Sequence, residues 1–178
     1  MPLRVKRGAR VVVLCASSFL LASCIGFMSA GVRIKDEKVC FAPSEDDSRW
    51  FRGHIMFHGY ALYRLEGERE KPIWGYCLKE GMSVRGDACF PYGELPEGVS
   101  RAAVRDDCSS AEEAPPLQAN TLYAVEVFGS EKTRWYYYNS WPARFCLKED
   151  TGALSIQRLP DRDDADHCPE EGAQTPAR

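Results

Sequence analysis

Asn120-Thr121-Leu122-Tyr123-Ala124-Val125-Glu126-Val127-Phe128 is composed largely of residues that favour an extended chain. β-Branched and aromatic side chains pack well on a pleated surface, so this run predicts a strand. Residues 129–133 follow as a polar loop. Arg134-Trp135-Tyr136-Tyr137-Tyr138-Asn139-Ser140-Trp141 and Ala143-Arg144-Phe145-Cys146-Leu147 then return as strand. Ala153-Leu154-Ser155-Ile156 adds a further strand, and hairpin plus strand make an antiparallel meander.

Upstream the same signals recur. Val32-Arg33-Ile34-Lys35 alternates apolar and charged residues, Asp36-Glu37-Lys38 turns, and Val39-Cys40-Phe41 returns, the pattern of a hairpin. Residues 42–48 read as an acidic loop. Residues 50–65 form a long strand-like run in which His54, Met56, His58, Tyr60 and Leu62 would share one face and Ile55, Phe57, Gly59, Ala61 and Tyr63 the other. Gly59 marks a candidate bulge or bend. Residues 66–72 predict a charged turn closed by Pro72, and 73–78 a short strand holding Cys77. Residues 81–84 and 88–90 predict a second small strand pair around Arg85-Gly86-Asp87, a tripeptide that turn chemistry explains as readily as adhesion does. Residues 91–116 carry four prolines and many acids; they read as a loop pinned by Cys108, with at most a helical turn at 100–106. The fold expected is mostly β: a small antiparallel β-sandwich-like domain at 32–168, disulfide-stapled, with long loops.

The N-terminus predicts where this domain sits. Arg4, Lys6, Arg7 and Arg10 precede a short apolar segment at 11–21, with no acidic residue before Cys24. The apolar segment is shorter than the ~20 residues that span a bilayer, so 1–23 reads as an export signal peptide. Leu21-Ala22-Ser23-Cys24 matches a lipobox, which makes Cys24 the acylated first residue of the mature chain. The alternative is an ordinary signal whose cysteine is incidental. Residues 24–31 would be a lipidated tether, and two or three acyl chains hold a protein stably on a membrane. The four basic residues leave with the signal, so 19 basic residues face 26 acidic ones, a mature charge of −7. That balance argues against nucleic acid as a partner and leaves the lipid as the membrane attachment. Ile25 rather than aspartate after Cys24 favours, by likeness to Gram-negative lipoproteins, the outer membrane over retention at the inner one.

Six cysteines remain in the mature domain: Cys40, Cys77, Cys89, Cys108, Cys146 and Cys168. In an exported chain an even set predicts up to three disulfides, with fifteen pairings open. No Cys-x-x-Cys or Cys-x-x-His spacing points to zinc. His54 and His58 have His-x-x-x-His spacing, but Ile55 occupies the place where a zincin has glutamate, so two histidines on a strand is the plainer reading. No nucleophile elbow, phosphate loop or activated serine or cysteine is legible. The chain is read as a non-enzyme without metal or cofactor. The acidic tail beyond Cys168, 169–178, is expected to be disordered.

The aromatics Trp135, Tyr136, Tyr137, Tyr138 and Trp141 exceed what one strand buries. Alternation sends about half of them inward. The outward members are candidates for a protein contact, or for a small ligand that stacks on rings. The acidic stretches 45–47 and 66–70 are the next candidates for such a surface.

The lipobox, the 32–41 hairpin ending Val-Cys-Phe, and the strands at 122–128 and 141–147 together resemble the short β-rich periplasmic lipoproteins that serve as immunity proteins of the type VI secretion system. The resemblance implies a lipid-anchored, sandwich-like periplasmic domain that binds and neutralises a delivered toxin. It supplies no residue-level site, because 66–116 and the acidic tail depart from the pattern. The competing reading is an envelope structural or assembly lipoprotein with no toxin partner; an enzyme acting on wall or lipid ranks last.

Overall fold

The computed structural model describes residues 29–43, 55–67, 69–84, 88–106, 108, 113–131, 139–160 and 167–169. They form two antiparallel sheets. Strands β1 (Ala30–Lys35), β2 (Lys38–Pro43) and β5 (Phe90–Pro91) make the smaller, in the order β1-β2-β5. Strands β3 (Ile55–Glu66), β4 (Arg69–Val84), β6 (Thr121–Glu131), β7 (Asn139–Asp150) and β8 (Ala153–Leu159) make the larger, in the order β4-β3-β6-β7-β8. The β1–β2 hairpin lies over β6, β7 and β8, giving the sandwich-like arrangement.

Two-residue turns make the tight hairpins. Asp36 and Glu37 both have positive φ, at 50° and 62°, between Lys35 and its partner Lys38. Thr151 and Gly152 repeat this at 51° and 84° between β7 and β8. Positive φ at both central positions is what a type I′ turn requires, and that turn matches the right-handed twist of the strands.

The core between the sheets is aromatic. Phe41 of β2 meets Tyr60 of β3 at a centroid distance of 4.7 Å and Phe145 of β7 at 6.1 Å. Phe90 of β5 stacks on Phe57 of β3 at 3.7 Å. Tyr76 and Trp74 of β4 pack edge-on to one another at 5.6 Å. Inward positions of β6 and β7 complete the layer with Tyr123, Val125 and Val127, and with Trp141, Ala143, Phe145 and Leu147.

Two sequence expectations change in the middle of the chain. The alternation across 54–63 is not continuous. The register shifts between Phe57 and Gly59 against both neighbouring strands, and opposite β6 this leaves His58 as an extra residue, a bulge that reverses the parity. Ile55 and Phe57 therefore point into the same core as Tyr60 and Leu62. Gly59 makes this possible: its φ is +136°, and a Cβ there would overlap the carbonyl of Tyr76. The second change concerns 66–90. The expected turn at 66–72 is mostly strand: β3 extends to Glu66, and β4 runs from Arg69 through Pro72 to Val84. Proline is tolerated because β4 is an edge strand, where a missing N–H breaks no ladder on the open side. Met82, Ser83 and Val84 thus pair with β3, whereas Phe90 pairs with Phe41. The 81–84/88–90 pair does not form.

The long loop is anchored as well as folded. Among its described residues the one helical feature is a 3₁₀ turn at Arg101–Ala103. Beside it the Arg105 N–H donates to the Cys77 carbonyl at 2.8 Å, and Lys79 donates to the carbonyl of Ala102 at 2.7 Å. Leu95, Val99, Ala114 and Leu117 pack against the main core, and Val104 is buried in it. Three cysteine pairs lie at bonding distance: Cys40–Cys89, Cys77–Cys108 and Cys146–Cys168, with Cα separations of 5.4, 5.5 and 5.6 Å. The first ties β2 to the start of β5, the second ties the long loop to β4, and the third brings residues 167–169 back to β7.

Candidate functional site

The smaller sheet covers one face of the five-stranded sheet. The opposite face is set by the same alternation, so the residues between the core positions point outward. At one end of it Leu65, Leu122, Ala124, Cys146 and Leu159 form a second, smaller apolar cluster. Cys168 packs on that cluster, and Lys148 Nζ donates to the Pro169 carbonyl at 2.8 Å. The returning chain end and its disulfide therefore cover this part of the face.

Next to the covered end lies a hollow of about 150 Å³. Cross-strand register builds it. Tyr63 of β3 stands opposite Ala124 of β6, which stands opposite Arg144 of β7. One row further along, Ala61, Glu126 and Pro142 are partners. The floor is low because Ala124 separates two large side chains that sit two strands apart, roughly 10 Å. Glu70, at the β4 edge, completes the rim. Pro142 has a structural reason as well. β8 pairs with β7 only from Arg144 onward, so among the described residues the proline has no strand partner on that side.

The chemistry of this hollow is acidic and phenolic. Burial raises the Tyr63 hydroxyl above the ordinary tyrosine value, and the carboxylates of Glu126 and Glu70 raise it further. Tyr63 thus stays a neutral hydrogen-bonding phenol at physiological pH. Of the charged lining residues, Glu70 and Glu126 outnumber Arg144, a balance of −1.

The sequence candidates fall differently. Cys24, His54, the Arg85-Gly86-Asp87 tripeptide and the 45–47 acids lie outside the described residues, as do Trp135, Tyr136, Tyr137 and Tyr138. Trp141 is described and belongs to the core, 1% exposed. Its indole lies over Gly129 so closely that a Cβ on that glycine would overlap the ring. Of the 66–70 acids, Glu66 is ion-paired with Arg64, and Glu70 reaches the hollow. Tyr63, Glu126 and Arg144 were not singled out from the sequence. The readable signal was Glu126 itself, a carboxylate on the outward parity of an otherwise apolar strand.

His58, the extra residue of the β3 bulge, places Nε2 2.9 Å from Ser130 Oγ. A serine–histidine contact is one part of a nucleophilic constellation, which also needs an orienting group and oxyanion donors. Here the imidazole also fills the space above Gly81, where a Cβ would come within 2.5 Å of the ring. Desolvation lowers the His58 pKa, so the ring is neutral at pH 7. These features describe an imidazole packed into the bulge.

Comparison with known protein families, with characterised proteins and with solved structures returns no match.

Proposed function

We propose that this chain is a periplasmic lipoprotein, anchored through Cys24 to the outer membrane of a Gram-negative bacterium, and that it binds and neutralises a toxin delivered to the periplasm. It acts by occupancy rather than by catalysis. The observation that carries the reading is the outward face of the five-stranded sheet, with its hollow between Tyr63, Glu70, Glu126 and Arg144. The face stands on a scaffold that three cysteine pairs hold together. A rigid scaffold loses little conformational freedom on binding, which favours tight blocking complexes. The acidic charge would steer the domain toward a basic partner surface and speed their encounter. The export signal and lipobox supply the compartment.

The test is a contact-dependent competition between sister strains. A recipient lacking this gene should be outcompeted by its parent, and the wild-type gene restored in the recipient should rescue it. Equal fitness of the deletion strain, with an altered envelope permeability instead, would favour the structural lipoprotein reading.

A further inference from the structure

We propose that the hollow on the outward sheet face accepts a single basic side chain, lysine or arginine, from the protein partner. This rests on the reading that the domain acts by binding a protein. The size of the hollow comes first. Pockets that enclose drug-sized molecules measure roughly 300–1,000 Å³. At about 150 Å³, this hollow matches one protruding side chain rather than a metabolite or cofactor.

Its lining selects the sign of the charge. The acidic groups gather toward β3 and β4: Glu70 lies on β4, Glu126 on β6 beside β3, and both act electrostatically on the Tyr63 hydroxyl. Arg144 lies on the far side of Ala124 from Tyr63. A cation entering at the Tyr63 side would meet two carboxylates and an aromatic ring, a combination that holds ammonium and guanidinium groups. An anion would meet the same two carboxylates and be repelled. Ala124 matters equally, because a larger residue between Tyr63 and Arg144 would fill the floor.

The experiment uses the full lipidated chain in detergent micelles with ¹³C-methyl alanine labelling, so that Ala124 reports on the hollow. The probes are N-acetyl-arginine amide, N-acetyl-lysine amide and the neutral arginine isostere N-acetyl-citrulline amide. The expected result is a saturable shift of the Ala124 methyl with at least one cationic probe, with a Kd on the order of 1 mM, typical of so small a ligand. Citrulline should produce no saturable shift. The double variant Glu70→Gln/Glu126→Gln, with an unchanged melting temperature, should bind the cation at least tenfold more weakly. No saturable response to either cation, an equal response to citrulline, or undiminished binding by the double variant overturns the proposal. In the competition assay, full protection by the double variant would likewise overturn it while leaving the neutralising function standing. A deletion strain with no competitive defect would overturn that function whatever the probes do.

Discussion

Tyr60 and Tyr76 lie side by side in the core with ring centroids 5.1 Å apart, yet their hydroxyls differ. Tyr60 donates to the carbonyl of Pro91 at 2.9 Å, so it links β3 to β5. The Tyr76 hydroxyl is buried with no hydrogen-bond partner among the described residues. A buried hydrogen bond contributes about 1 kcal/mol net, whereas removing an unpaired buried polar group is neutral or favourable. Tyr60→Phe should therefore lower stability by about 1 kcal/mol, leaving the Pro91 carbonyl unpaired. Tyr76→Phe should leave stability unchanged or raise it. Urea unfolding of the oxidised protein distinguishes the two. Titration sets a second expectation. Burial raises both phenols well above the ordinary value of 10, so the unfolded chain ionises first. The folded state then binds more protons than the unfolded one, and stability should fall as pH rises past 10. At the acid end the sign is opposite in origin. His58 is lowered below 6.5 by desolvation, so the unfolded chain takes up its proton first and stability should fall as pH drops below 6.5. His58→Gln should flatten that acid limb, and a limb as steep as wild type would show that another group causes it.

At the level of strands, Gly59 carries the main irregularity. An alanine there would require a φ of +136° and would press its Cβ on the Tyr76 backbone. Gly59→Ala should cost at least ~2 kcal/mol, because neither a left-handed conformation nor a backbone clash relaxes cheaply. A thermal melt showing no loss would mean that β3 and β4 re-register without the bulge. The covered end of the outward face gives a complementary test. Replacing Cys146 and Cys168 by serine opens a 22-residue loop and should cost about 3 kcal/mol on chain-entropy grounds. The strands themselves were largely legible in the sequence. The β1–β2 hairpin, the 121–128 strand and β8 stand where alternation and turn residues put them, because these signals are local. The expected loop at 129–133 is corrected in part: β6 runs on through Glu131, because Gly129, Ser130 and Glu131 find partners on β3. The length of β4 was not legible. Pro72 and the charged residues around it mimic a turn, and only the edge position, a property of the whole sheet, makes a strand acceptable there. The same limit hid the hollow. Tyr63, Glu126 and Arg144 are far apart in sequence, and what joins them is a register shifted by the β3 bulge. The cysteine pairing was likewise open among fifteen choices until the strands fixed which cysteines face each other.

For the whole molecule, the proposed anchor and the proposed contact are separable. Cys24→Ala should release the chain from the membrane fraction while leaving its melting temperature unchanged, since Cys24 precedes the first strand, Ala30–Lys35. Membrane retention of that variant would show that attachment does not depend on the thiol. With the proposed signal removed, a charge of −7 should make association with a basic partner faster at low ionic strength, while dissociation depends on the buried contact. If the outward sheet face blocks a delivered toxin, as proposed, Glu126→Lys should abolish protection. The substitution places a positive charge on the rim of the hollow without touching the core, so the variant should fold with an unchanged melting temperature. The measurement is survival of a deletion recipient carrying either the wild-type chain or Glu126→Lys, in contact with its parent strain. The wild-type chain should restore survival, and the equally abundant, equally stable variant should not. Full protection by Glu126→Lys would contradict the proposal.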